Sequence, residues 1–217
     1  MNKAFWVVGA VGGLAAGVVG AQTTPVSLPA KDTHDNVTIA ADPYQEEARY
    51  RERFGKKNPF KVGILAVEVF IRNENDKPIR VNLESVRLML AIPGAEKQRL
   101  RPLTVEDVVD GILNKGGQKS NKPRVPLPIP GRGPSTGRGK EWEELETILR
   151  SVAYENDILP PRSTVKGIFF FDMDGHYDWV EYARLYVPDL VFLHNQQGLL
   201  YFEVDLAPAV KTRSGGR

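Results

Sequence analysis

The side chains best placed to do chemistry stand at the end of one apolar run, Phe170-Phe171-Asp172-Met173-Asp174-Gly175. A buried strand that delivers two carboxylates to its tip can present them to Mg²⁺. The stretch continues to His176 and Asp178, so ligand-type side chains recur at every second position. That spacing could converge Asp172, Asp174 and Asp178 on calcium, a hard cation that collects oxygen ligands. It departs from the helix–loop–helix calcium loop at two points. Tyr177 stands where the sharp turn needs glycine, and Ala183 where a bidentate Glu closes the shell. A solvated acidic turn leaving a buried strand would use the same residues. No cofactor is expected beyond the calcium that this turn could hold.

A second constellation is cationic. Residues 114–140 hold Lys115, Lys119, Lys122, Arg124, Arg132, Arg138 and Lys140 and no acid, among six glycines and five prolines. That density of breakers excludes a regular element. The charge could grip a polyanion of the cell envelope, or simply keep a linker soluble. No aromatic residue is present to stack on bases, so nucleic acid is not an expected partner. Gly133 to Lys140 fails as a phosphate-binding loop, because Pro134 breaks the spacing and Glu141 stands where Ser or Thr would hold Mg²⁺. The three histidines, His34, His176 and His194, sit in no recognised hydrolase motif. The absence of cysteine removes thiol catalysis, cysteine-ligated zinc and disulfides.

The elements that must position these residues are legible from periodicity. Lys3, the uncharged run from Ala4 to Gly20 and the small residues of Val19-Gly20-Ala21 predict a signal peptide over 1–21 and a periplasmic or secreted protein. No membrane span is expected once that leader is removed. Residues 22–41 read as a flexible tether, and their Val37 to Ala41 end could add a strand to a sheet of its own domain or of a neighbour. Asp42-Pro43 predicts the start of a short helix that Gly55 stops, with Tyr50 and Phe54 as its buried face.

From Ile64 to Asn73 the period is two, with Leu65, Val67, Val69 and Ile71 on one face and Ala66, Glu68, Phe70 and Arg72 on the other. Ile79–Leu83 and Val86–Ile92 follow after short polar turns, which predicts three neighbouring strands of one antiparallel sheet. A helical insertion spans about 103–158. Its first helix opens at Thr104 and buries Val105, Val108, Val109 and Ile112. Its second runs from Lys140 to about Tyr154, with Trp142, Leu145, Ile148, Leu149 and Val152 on one face. The strand from Ser163 is apolar on nearly both faces and is expected to be central. Further strands are expected at Ala183–Val187, Leu190–Leu193 and Leu199–Leu206, the last burying Leu200, Phe202, Val204 and Leu206. The main domain so defined runs from 42 to 208, and residues 209–217 read as a disordered basic tail.

Three stretches together, GILAVEVFIRNENDKPIRV (63–81), LPPRSTVKGIFFF (159–171) and LLYFEVDL (199–206), resemble small exported immunoglobulin-like domains of bacteria. The shared features are a strand ending in Asn, a "kPi" turn, a Leu-Pro-Pro step and a closing "fev" strand. The resemblance implies a mainly β fold, an immunoglobulin-like antiparallel β-sandwich carrying a two-helix insertion and a short N-terminal helix, and it carries no catalytic residue across. The run from Phe170 to Gly175 also resembles the signature of haloacid-dehalogenase-type phosphatases, but His176 replaces the family's Thr and no βαβ pattern follows. With a net charge of +2, no global field draws in a partner. The expectation is a non-enzymatic exported interaction or structural module of the bacterial cell envelope. Its expected partners are other envelope or surface proteins, a second copy of itself, or an envelope polyanion. The alternatives are a metal-dependent hydrolase working at Asp172–Asp178 and a subunit of a surface assembly joined by strand addition.

Overall fold

The computed structural model describes residues 27–114 and 139–214. The expected leader, the start of the tether, residues 215–217 and six of the basic residues (Lys115, Lys119, Lys122, Arg124, Arg132 and Arg138) lie outside the described residues.

The chain is mainly β, with three antiparallel sheets and a few helices. Its first strands are β1 (Lys31–His34) and β2 (Val37–Pro43), a hairpin inside the stretch expected to be a tether. The connecting residues Asp35 and Asn36 have φ of 49° and 54°. Asp and Asn tolerate that region, and two such residues in a row make the two-residue turn whose twist matches a hairpin. Strand β2 runs on to Pro43, because a missing N–H costs little at a strand end. Helix α1 (Glu47–Phe54) therefore starts later than Asp42-Pro43 suggested, and Asp42 instead pairs with Arg49 at 2.6 Å.

Strand β3 (Ile64–Asn73) pairs with β2 on one side and β8 (Ser163–Asp172) on the other, giving the order β1-β2-β3-β8. Strand β8 is thus last in its sheet rather than central. Its outer edge is covered instead by irregular chain: Ile168 N–H donates to Val152 O, Tyr154 N–H to Ile168 O, and Leu103 N–H to Phe170 O. The close approach depends on Gly167, where a Cβ would lie 2.5 Å from the Tyr154 Cα.

The next strands do not extend this sheet. Strands β4 (Ile79–Val81) and β7 (Ile158–Leu159), with β10 (Leu190–Phe192), make a second sheet in the order β10-β4-β7. Strands β5 (Arg87–Leu90), β6 (Gln98–Leu100), β9 (Ala183–Val187) and β11 (Phe202–Asp205) make a third, in the order β11-β9-β5-β6. The three strands predicted to neighbour one another are therefore split among three sheets. Alternating burial looks the same whether the next strand pairs alongside or crosses to a facing layer, so periodicity could not separate the two cases. The β4–β10 and β5–β9 ladders run end to end, both interrupted at the Leu83–Ser85 turn and at Pro188-Asp189.

One core joins all three sheets. Val37, Ile39, Leu65, Val67, Val69, Ile71, Phe169 and Phe171 meet Ile79, Val81, Leu88, Leu90, Leu185, Val187, Phe202 and Val204. Along one side the layers are tied by β1 and β11: Glu203 N–H donates to Asp32 Oδ2, and the His34 ring stacks on Phe202 at 3.7 Å. Deep in the fold three of the sequence features noted above converge on one amide. The buried Asn73 Nδ2 donates to the carbonyls of Lys77, Leu159 and Pro160, and its Oδ1 accepts from Asn75 N–H. The Asn, the "kPi" turn and the Leu-Pro-Pro step thus form one structural lock. Beyond β11, helix α4 (Ala207–Ser214) takes up much of the expected tail and buries Ala209.

Candidate functional site

The first sheet uses both of its faces. Ile64, Ala66, Ile168 and Phe170 point away from the common core and into a second one. That core is closed by Tyr50 and Phe54 of α1, by Val105, Val108, Val109 and Ile112 of α2 (Val105–Leu113), and by Trp142, Leu145 and Leu149 of α3 (Lys140–Arg150). Thr104 caps α2 by accepting from Asp107 N–H, and Trp142 Nε1 donates to Asp110 across the two helices. The Tyr50 hydroxyl accepts Ala66 N–H at 2.8 Å and donates to Ile64 O at 3.2 Å, which pins α1 to β3. Burial pushes that phenol well above its usual range.

The third sheet uses only one. Leu88, Leu90, Leu185, Val187, Phe202 and Val204 are buried, and their neighbours in sequence face outward. Across the sheet, Arg99, Met89, Arg184 and Asp205 stand opposite one another, and Arg87, Tyr186 and Glu203 form the next row. Arg184 Nη1 reaches Glu203 Oε1 at 2.9 Å, which holds the guanidinium charged even more firmly than usual. The Tyr186 and Tyr201 rings lie 5.4 Å apart at the rim. Leu200 is 68% exposed and Tyr201 55%. Leu200 had been expected inside with Phe202, but regular pairing in the last strand begins only at Phe202. Helices α1 to α3 pack on the far side of the first sheet, and α4 contacts β2 and the turn at Tyr177–Tyr182. The outer face of β11-β9-β5-β6 is left bare of helix among the described residues. It is the candidate functional surface.

The acidic turn is built differently from a metal site. Asp172 Oδ1 accepts Asp174 N–H, and Met173 and Gly175 N–H both donate to Gly63 O. Asp174 and Gly175 take φ of 51° and 85°, which folds the chain back into the turn that carries Asp178. Asp172, Asp174 and His176 line a hollow of about 250 Å³ with Gln98, and the His176 ring stacks on Trp179 at 3.9 Å. Among the described residues, no group of three or more His, Asp or Glu side chains is placed to hold a metal ion.

Of the basic constellation, Lys140 is the described member. It opens α3 and stands 3.6 Å from Glu144. Lys56, Lys57 and Lys61 line a hollow of about 280 Å³ beside the end of α2, together with Glu141 of α3, and Lys57 pairs with that Glu. These lysines follow α1 and stand far along the chain from Ile112, Leu113 and Glu141, with which they share the hollow.

A larger cavity of about 540 Å³ opens at the covered edge of β8, between Leu83, Arg87, Arg101, Leu103 and Tyr154. The Tyr154 ring stacks on Phe169, and burial alone pushes its hydroxyl upward. That hydroxyl is buried without a hydrogen-bond partner among the described residues.

No family model matches the chain, and no curated protein matches it. Among solved structures, it is similar to the crystal structure of a functionally unknown protein from Listeria monocytogenes EGD-e. That likeness has 12% sequence identity and a TM-score of 0.31, and it covers 73% of this chain and 68% of the other. At that level it carries no weight for fold or function.

Proposed function

We propose that this chain is a non-enzymatic, exported interaction module of the bacterial cell envelope, an immunoglobulin-like sandwich that presents the outer face of β11-β9-β5-β6 to a protein partner. The observation that carries the reading is the contrast between the two layers. One sheet buries its second face under three helices, and the other leaves its second face open with Met89, Tyr186 and Tyr201 among charged residues. Aromatic and Met side chains beside arginine are the residues enriched where proteins touch. The immunoglobulin-like reading draws support from strand order: β11-β9-β5-β6 opposite β2-β3-β8 follows the G-F-C-C′ and A-B-E strands of such a sandwich. Export is supported by the Lys3, apolar-run and Val19-Gly20-Ala21 sequence.

Strand donation through Val37–Ala41 is not part of this proposal, because both edges of β2 are already paired within the chain. Metal-dependent hydrolysis is set aside with the unassembled ligand set.

Photo-cross-linking in the producing cell tests the reading. A benzophenone amino acid at Tyr186 should give one discrete protein adduct, and the same probe at Lys166, on the covered sheet, should give none. Absence of any adduct at 186, or equal adducts at both positions, would remove the proposal.

A further inference from the structure

The bare face is graded in charge from one edge to the other. On the β6 side stand Arg99 and, on β5, Arg87, with the exposed Arg101 just past β6. Arg87 Nη1 donates to the backbone carbonyls of Glu84 and Val86, so its charge is hydrogen-bonded without being neutralised by a carboxylate there. On the β11 side stand Glu203 and Asp205. Met89 and Tyr186 occupy the middle, with Arg184 tied to Glu203.

We infer that this face pairs with the same face of a second copy of the chain, an inference that rests on reading it as the interaction surface. A two-fold axis parallel to the strands and between β5 and β9 lays β6 of one copy on β11 of the second copy. The cationic edge then meets the anionic edge twice, once on each side of the axis, as an isologous interface requires. Arg99 comes opposite Asp205 of the second copy, and Arg87 opposite Tyr186 of the second copy, where a guanidinium over an aromatic face is favourable. The alternative axis, perpendicular to the strands, would set β6 on β6 and oppose like charges, so the gradient selects one orientation. Four strands spaced by about 4.8 Å give a face about 15 Å across. That is at the small end of specific interfaces, and the pairing belongs in the micromolar range, on the order of 1–100 μM.

Sedimentation of the purified chain over a concentration series tests the inference. The chain should pass from monomer to dimer with rising concentration. Arg99→Glu combined with Arg101→Glu, and separately Glu203→Lys, should each weaken self-association at least about tenfold while thermal unfolding stays close to that of the parent chain. Glu203 is preferred over Asp205, whose carboxylate also accepts the Ala207 N–H. An equimolar mixture of the two variants should associate more tightly than either variant alone, because one half of the mixed interface keeps Arg99 and Arg101 of one copy against Glu203 and Asp205 of the other. A chain that stays monomeric throughout, a dimer indifferent to both reversals, or reversals without rescue in the mixture would each overturn the inference. A monomer whose Tyr186 probe still captures one foreign protein would end self-pairing and leave the interaction reading standing. A monomer with no adduct would end both.

Discussion

The first and third sheets are built from strands of the same kind and end in opposite situations. In β3 and β8, residues on both sides of the backbone are apolar, as in Leu65-Ala66-Val67 and Ile168-Phe169-Phe170-Phe171, so a second layer has to cover the face that the common core leaves over. In β5 and β9 the alternation is strict. Arg87, Met89, Arg184 and Tyr186 separate the buried leucines and valine, and nothing obliges the chain to cover them. Helices α1, α2 and α3 therefore serve the first sheet, and the outer face of the third sheet, left bare of helix among the described residues, is the one proposed above for recognition.

The largest expected effect comes from breaking the covered side at its tightest point. Gly167→Ala would put a Cβ on Tyr154 backbone, where no flexible side chain can give way, and lift the 152–154 segment from the edge of β8. A loss of more than about 3 kcal/mol is expected, read as a fall in the urea midpoint with unchanged slope. A near-neutral result would show that the edge cover does not hold the helices in place.

A direct comparison of the two sides comes next. Leu149→Ala empties a buried position under α3 and should cost about 2–5 kcal/mol. Tyr186→Ser on the bare face should stay within about 0.5 kcal/mol for the isolated monomer. If the two substitutions cost the same, the bare face is structural and the division drawn above fails.

Tyr50→Phe keeps the ring and removes the hydroxyl that serves Ala66 N–H and Ile64 O. Leaving a buried donor unpaired should cost about 1–3 kcal/mol. The Tyr177 hydroxyl, which donates to Phe60 O at 2.8 Å, also lies 3.3 Å from Ile64 O, so the larger part of the loss falls on the Ala66 N–H. Faster exchange of the Ala66 amide would locate it.

The smallest effect is electrostatic. Glu106 is held below the usual carboxylate range by its own backbone N–H at the start of α2, and further by Arg150, which also binds Glu146 and Glu155. A carboxyl lowered in the folded state stabilises the fold above its unfolded value and loses that contribution as pH falls through its folded value. Glu106→Gln should therefore lower the thermal midpoint by about a degree at neutral pH, and the difference should vanish in acid. A difference that grew on acidification would contradict the assignment.

Much of the local structure was legible without coordinates. The faces of Ile64–Asn73, the Thr104 cap and the buried stripe of α2 all follow from spacing, because periodicity and capping depend on residues a few positions apart. The β1–β2 hairpin was missed although Asp35-Asn36 signals it, because its strand Lys31–His34 is polar and carries no apolar alternation. At the acidic turn, Asp172 ends β8 and Asp174 lies just past it. The path of the chain beyond them is held by the Met173 and Gly175 N–H groups on Gly63 O, more than a hundred residues earlier, which spacing within the turn does not reveal.

By itself, the sequence determined the alternating faces of Ile64–Asn73, where α2 and α3 begin, and that no cysteine chemistry is available. Only the tertiary structure decided which strands are neighbours. It sent β3, β4 and β5 into three different sheets, drew Asn73, the "kPi" turn and the Leu-Pro-Pro step onto one amide, and spent all three described insertion and N-terminal helices on one side. The physical reason is that an alternating strand specifies a buried face but not the layer it faces. The choice is made by long-range closure, where Asn73 meets Leu159 and Pro160 and where β1 meets β11. The open face of β11-β9-β5-β6 is a consequence of that choice.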